Sequence, residues 1–497
     1  MSVSSVGHAQ EVRDEEATAV VRTGVWVEPR VSVGLTLTNN GSLDGSNTRN
    51  EQILEAGPGV RAVVNKPRVR GFLDYSLSGL YHAQSTAGDR FRNTLDALAT
   101  VEAVDNRVFI DLAGTVGDEA VSAFGTQSGV PRTGINRSET ASFRASPYVR
   151  GSFAGVADYE LRYALESVST DSQTRSDVTV QEIQLRLGNR SAGARLGWSL
   201  DASSQEADYS LGRKTQADIV RGALIYTVTP QVRVALLAGV ESNNVITLNR
   251  ESYNTYGANM EWRPSDRSRV FVEAERRYFG TGHTISLDHR TGRTVWRYSN
   301  TRGAVTNTLA ATSASLGSIY DLLDGQFLAD FPDPVARAQR VDAELRRLGL
   351  PADAEVFDDF LRSSAALERS QRLSVALVGV RSVVTFAVAR GDSQRLDPVV
   401  ALGDDFDLNT SIRQRSWSIN YAHRLTPITS FTAALSNRRN IGTALGQENR
   451  LRTLTLGATT QLGVRTSGSV QLLRSYYDSS VGTYDETAIS GLITHRF

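Results

Sequence analysis

The sequence predicts an all-β chain: a transmembrane antiparallel up-and-down β-barrel of about 22 strands (18–22) with one helical loop insertion. Three observations lead there. Apolar residues recur at every second position over most of the 497 residues. The connections between these runs are alternately long and short. The chain ends on an alternating run, Thr487 to Arg496, closed by Phe497. A terminal aromatic on a closing strand is the signal read by the barrel-assembly machinery.

The alternation is clear run by run. In Val108 to Leu112 the even positions are apolar. In Asp158 to Glu166 the odd positions are apolar and most even ones charged. Ile183–Leu187, Leu196–Leu200, Val220–Val228, Val232–Val240, Tyr256–Trp262 and Val270–Ala274 repeat the pattern. Only one face of such a strand meets lipid, so a hydrophobic fraction of 40% and a mean hydropathy of −0.26 suffice for a membrane barrel. No stretch approaches the roughly 18 apolar residues of a membrane helix.

Parity supplies an independent constraint. If the first strand, about Val25 to Leu37, leaves the periplasm, every odd-numbered connection lies outside. Those include Asn39 to Asn50, Gly117 to Arg137 and Asp392 to Asn409. The even ones include Asn65–Arg68, Asp105-Asn106, Thr229-Pro230, Arg263–Arg267, Leu425–Pro427 and Arg465-Thr466. Long loops outside and tight turns inside are the outer-membrane rule. The scheme requires Thr284–His289 and Thr294–Thr301 to be separate strands joined at Arg290–Arg293. Trp198, Trp262, Trp296, Trp417, Tyr75, Tyr81, Tyr226 and Tyr421 then fall on outward faces, several near strand ends where interfacial aromatics sit.

Residues 1–24 read as a signal-peptide remnant and disordered tail ahead of a barrel over 25–497. Gly7-His8-Ala9 has the small-x-small form of a cleavage site, but the basic and apolar regions are missing. The segment 303–369 breaks the period. Leu316, Ile319, Tyr320, Leu323 and Phe327 share one helical face. Asp333 caps Pro334, and Val335, Ala338, Val341 and Leu345 form the next stripe, ended by Gly349 and Pro351. Val356, Phe357, Phe360 and Leu361 begin a third. An insertion of about 65 residues in a barrel loop is expected to act as lid, plug or docking element.

Composition excludes several classes. Formal net charge is zero, so a nucleic-acid partner has no electrostatic support. There are no cysteines, as suits export through an oxidising periplasm. Lysine occurs only at Lys66 and Lys214, so 54 − 2 = 52 of the basic residues are Arg. There is no Walker loop, no Rossmann glycine run after a strand, no HExxH and no Gly-x-Ser-x-Gly. The expectation is a non-enzyme with no catalytic, cofactor or metal site. Glu273 and Glu275 share a strand face about 7 Å apart. Arg277 follows on that face, so an ion-paired wall explains them better than general acid–base chemistry.

The inward faces carry Asp74, Asp111, Glu160, Arg162, Glu166, Glu182, Arg186, Arg195, Asp201, Arg221, Arg233, Glu261, Glu273, Glu275 and Arg277. Charges in a barrel face the lumen or the ends, because Arg on lipid at the midplane costs about 2–4 kcal/mol. Mixed signs argue against a simple ion filter. They fit a broad hydrated channel or a lumen filled by paired side chains.

The run Phe279 to Trp296, Phe-Gly-Thr-Gly-His-Thr-Ile-Ser-Leu-Asp-His-Arg-Thr-Gly-Arg-Thr-Val-Trp, resembles a hairpin of the outer-membrane protein family associated with PEP-CTERM/exosortase systems. Tyr320-Asp321-Leu322-Leu323 and Pro332-Asp333-Pro334-Val335-Ala336-Arg337 resemble that family's helical insertion. His283 stands where the family often has an aromatic, and Gly292 where it often has Arg. The resemblance covers most of the chain after Trp26 and is most specific over about residues 270–390. It implies an exopolysaccharide-locus component of the cell outer membrane, with outer-membrane lipid and polysaccharide-export components as partners. The resulting expectation is a passive pore or export component for extracellular polysaccharide, gated by the insertion. A non-conducting assembly barrel is one rival. A TonB-dependent-type transporter, which the strand count suits, is a second, ranked low because no plug domain fits before Val25. A soluble β-sandwich array is the non-membrane alternative.

Overall fold

A computed structural model describes residues 24–84, 88–128, 136–153, 156–189, 195–305, 337, 341, 360, 362–399, 403–480 and 482–497. Twenty-two strands form one sheet, every neighbouring pair antiparallel. The run opens with β1 (Gly24–Thr38), β2 (Glu51–Lys66), β3 (Val69–His82), β4 (Arg90–Val104), β5 (Val108–Ala120) and β6 (Arg137–Phe153). It continues through β7 (Ala157–Thr170), β8 (Val178–Asn189), β9 (Leu196–Tyr209), β10 (Thr215–Thr229) and β11 (Val232–Asn243). Next come β12 (Glu251–Ser265), β13 (Ser268–Arg277), β14 (Gly280–Arg290), β15 (Thr294–Val305) and β16 (Ala366–Val378). The last are β17 (Ser382–Arg395), β18 (Ser411–Thr426), β19 (Thr429–Gly442), β20 (Glu448–Gln461), β21 (Thr466–Ser479) and β22 (Thr483–Arg496).

The sheet closes on itself. β1 pairs with β22 from Arg30↔Arg496 to Thr38↔Ala488, and the Phe497 N–H donates to the Pro29 carbonyl at 2.9 Å. Closure leaves no edge strand, the condition for strands to sit in lipid. The even count puts both ends of the described barrel on the same side. The closed 22-strand barrel is an outer-membrane architecture.

Short turns and long connections alternate over most of the ring; the odd-numbered β13–β14 and β21–β22 connections, at 278–279 and 480–482, are as short as the inner turns, and several bounds are narrower than expected. The segments Gly117–Ala120 and Asp392–Arg395 belong to strands, so the outer connections there are 121–136 and 396–410. The Asp105–Arg107 turn places Asn106 at φ 55, a left-handed conformation that Asn tolerates. The hairpin over β14 and β15 turns at 291–293, with His289 opposite Trp296. Gly57 in β2 has a backbone reason. A Cβ there would lie 1.8 Å from the Leu77 carbonyl oxygen, between the Ala56↔Gly79 and Gly59↔Ser76 pairs of β2 and β3.

The outward face is the apolar one. Val27, Leu54, Leu112, Leu161, Leu224, Leu236 and Ile489 are all among the exposed large side chains. Trp198, Tyr226, Trp262 and Trp296 are exposed on the same face near the short-turn end, the level of an interfacial aromatic girdle.

The expected helical segment is shorter than 303–369. Gly303–Val305 and Ala366–Arg369 extend β15 and β16 and pair with each other, since Val305 lies opposite Ala366. Arg337 and Val341 are helical, and Val341 is buried. Phe360, expected to begin a third helical stripe, instead forms a β-bridge with Ala120; the rest of the three stripes lies outside the described residues, as does the tail at 1–23.

Candidate functional site

Strand alternation puts fourteen of the fifteen predicted lumen residues on the face opposite the exposed apolar set. Arg195 differs: it lies in the exposed bend before β9, where its carbonyl accepts from the Thr227 N–H at 2.8 Å. Arg195 directly precedes β9, which begins at Leu196 as its period suggested, so it sits at the short-turn rim rather than on the wall.

The wall is a series of Arg–carboxylate clusters. Asp74 receives Arg30 at 2.5 Å and Arg61 at 3.8 Å. Arg162 bridges Asp111 at 2.8 Å and Glu160 at 3.2 Å and lies 3.9 Å over the Tyr148 ring. Arg144 pairs with Glu166 at 3.7 Å, and Arg92 with Glu55 at 2.6 Å. Glu261 gathers Arg263 at 2.6 Å, Arg269 at 2.9 Å and Arg233 at 3.7 Å. Guanidinium forks match carboxylates geometrically, which is what an Arg-rich lumen exploits. The partners Arg30, Arg61, Glu55, Arg92 and Glu241 were missed from sequence; the same period-two reading marks them as inward once each register is known.

One stretch of wall is hollowed. A recess of about 260 Å³ is lined by Gln184, Arg186, Asp201, Ser203, Arg221 and Arg277. Arg221 pairs with Glu275 at 3.1 Å and Glu273 at 3.9 Å, and Arg277 with the buried Glu241 at 2.6 Å. Arg186 meets Asp201 only at 3.9 Å, and its side chain is 63% exposed. This guanidinium is therefore free to take a second polar partner from the lumen.

The long-connection end is bridged. β5 and β16 are 16 − 5 = 11 strands apart in a ring of 22, on opposite walls. Yet Ala120, ending β5, and Ala366, starting β16, share one buried cluster with Ala123, Phe360, Phe406 and Ile412. Phe360 forms a parallel bridge with Ala120. β5 leaves its β4 partner after Leu95↔Val116, which frees the β5–β6 end to lean across the mouth.

Polar contacts fasten that bridge. The Ala123 carbonyl accepts from Asn440 at 2.7 Å and Asn449 at 2.8 Å, on β19 and β20. Tyr477 on β21 donates to the Gly125 carbonyl at 3.1 Å. From the β17–β18 connection, helix α1 (Asp405–Leu408) is capped by Asp404, which also accepts the Ser363 N–H at 2.7 Å. Asp405 accepts Ser122 Oγ at 2.6 Å and the Ala123 N–H at 2.7 Å. Arg175 is buried and donates to the Val121 and Gly403 carbonyls at 2.6 and 2.5 Å, and pairs with Asp405 at 3.4 Å. Burial pushes the Asp405 carboxyl above the usual range, opposed by Arg175 and the two hydrogen bonds. Arg213 ties Asp397 at 2.8 Å to the Asn244 and Val245 carbonyls.

No protein-family model matches the chain, and no curated protein matches it. Among solved structures, it is similar to the FrpB iron transporter from Neisseria meningitidis, F5-1 variant, apoprotein form. That pairing has 9% identity over 95% of this chain and 81% of the other, with a TM-score of 0.51. A second F5-1 structure gives 9% identity, 96% and 83% coverage and 0.50. The F3-3 variant gives 9%, 95% and 81%, and 0.50. At this identity the likeness speaks for the barrel fold.

Proposed function

We propose that this chain is a gated outer-membrane transport barrel, closer in kind to a TonB-dependent-type transporter than to a standing polysaccharide pore. The observation that carries this reading is the bridged mouth. A passive pore conducts through an open lumen, whereas here Ala120 and Ala366, from opposite walls, belong to one buried cluster that spans it through Phe360. A cap fastened by a buried cluster and the Arg175–Asp405 pair opens only when a ligand or an energised partner favours the open state. The 22-strand architecture shared with FrpB, an iron transporter, supports the same reading.

The wall and its recess suit a polar cargo. Arg186, Arg221 and Arg277 offer donors, and Asp201 and Gln184 offer acceptors. A hydroxyl-rich or carboxylate-bearing solute finds a partner there in the exposed Arg186, while an apolar one desolvates these groups without offering any. A second reading, passage of a saccharide chain, is favoured by the hairpin resemblance at Phe279–Trp296.

Proteoliposome swelling in small sugars tests the main proposal. A gated barrel gives swelling near that of empty vesicles. Steady swelling with the wild-type protein returns the reading to an open pore.

A further inference from the structure

The outward face is not apolar throughout. Above the lipid-facing residues of β17–β20, four arginines stand directly opposite one another across neighbouring strands. Arg390 pairs with Arg415, Arg415 with Arg439, and Arg439 with Arg450. Strands lie about 4.8 Å apart, so the row spans about 15 Å. Like charges directly opposite each other in a sheet destabilise it. This row therefore calls for an external anion.

The carboxylates on this face cover only part of the row. Asp392 takes Arg390 at 3.2 Å and Arg413 at 2.9 Å, and Glu448 takes Arg439 at 2.5 Å. Arg415, Arg450 and Arg452 have no carboxylate within 4 Å among the described residues, and the buried Nε of Arg450 makes no hydrogen bond. Six arginines against two carboxylates leave 6 − 2 = 4 positive charges on the outward face of these strands. Toward the short-turn end the outward positions turn apolar at once on β17 and β18, with Val388 and Phe386 below Arg390 and Trp417 and Ile419 below Arg415, and one outward position later on β19 and β20, where Leu435 and Leu454 follow Asn437 and Arg452. On the other side of the ring, outward positions near the long-connection end, the level of the arginine row, carry Glu139, Glu206 and Asp218 instead.

We propose that the outward face of β17–β20 is a docking site for phosphate-bearing lipid of the outer leaflet. Acyl chains lie on Phe386, Val388, Trp417, Ile419 and Leu454, and headgroup phosphates are held between the guanidiniums of Arg390, Arg415, Arg439 and Arg450. The apolar strip beneath the row, adjacent to it on β17 and β18 and one outward position further down on β19 and β20, selects a lipid over a free anion. Guanidinium forks bind phosphate through paired donors, and a charge on the outward face is tolerated at the interface but not at the midplane.

The test uses the whole barrel in mixed micelles containing diphosphorylated lipid A, its dephosphorylated form, or phosphatidylcholine, with bound lipid counted by native mass spectrometry. The wild type is expected to retain lipid A selectively. In the Arg415→Gln/Arg450→Gln variant, retention falls about tenfold or more, the scale of a lost charge-assisted contact. The charge-matched Arg267→Gln/Arg465→Gln variant in the short turns keeps wild-type retention. Heat-modifiable gel migration verifies folding, and Arg415→Gln alone carries the comparison if the double variant does not fold. Equal retention of phosphorylated and dephosphorylated lipid, or an equal loss in both double variants, overturns the proposal. So does displacement of bound lipid A by inorganic phosphate, which would make this a free-anion site.

Discussion

Arg175 and Asp405 are 230 residues apart in sequence and sit on the β7–β8 and β17–β18 connections, yet their side chains meet at 3.4 Å, 2% and 8% exposed. The guanidinium also holds the Val121 and Gly403 carbonyls. One side chain thus ties three connections together above the lumen. Removing one partner of a buried pair costs about 3–5 kcal/mol, because the other is left charged and unpaired. The loss falls on the cap, because the strand ladder does not depend on it.

Asp405→Ala should therefore loosen the cap without unfolding the barrel. Hydrogen exchange at residues 121–128 and 403–409 should quicken, while amides of β8 and β18 keep their protection. Loss of protection in the strands as well would mean that the pair stabilises the whole barrel.

Acidification should stabilise the closed cap. Burial raises the Asp405 carboxyl above its ordinary value, so the closed cap binds that proton more tightly than an open one. The cap is then most stable below the ordinary carboxylate range, and that contribution is lost as pH rises through the raised pKa. Cap protection in the wild type, corrected for intrinsic exchange, should increase from neutral pH toward pH about 4. Asp405→Asn should remove that dependence. Protection that falls with acid in the wild type but not in Asp405→Asn would reverse the sign argued here.

Facing can be tested strand by strand. Leu112, Leu161 and Leu224 are 42%, 48% and 51% exposed on the outward face, so Arg at any of them should cost about 2–4 kcal/mol in a refolding titration. Arg at Thr115 or Ala223, on the opposite face, should cost far less. Ala164 is also inward but only 5% exposed, so Arg there should destabilise by overpacking. Equal costs for Leu112→Arg and Thr115→Arg would contradict the facing.

Phe497 closes the ring at its N–H, and its ring packs edge-on against His495 at 4.9 Å between centroids. Its side chain is 61% exposed, so burial explains little of its use here. Deleting it should lower the folded outer-membrane level while synthesis is unchanged. Equal folded levels would contradict the expectation that it serves as an assembly signal.

The barrel was legible because its two determinants are local. Period two marks each strand, and the length of each connection marks the side it lies on. The same period assigns each strand residue a face, but not Arg195, which lies one residue ahead of β9. The bridge was not legible. Ala123 reaches Asn440 and Asn449 through a backbone carbonyl, which has no sequence signature. Asp74 could be placed inward, but its partners Arg30 and Arg61 depend on how β1, β2 and β3 align. The outward arginines were invisible as a row because the row exists only in cross-strand register.

Single-channel recording in a planar bilayer tests the closed mouth most directly. Wild-type barrels should show no steady conductance, and the Arg175→Ala/Asp405→Ala variant, folded by heat-modifiable migration, should show long-lived openings. Steady conductance in the wild type, unchanged in that variant, would contradict a mouth closed by the cap.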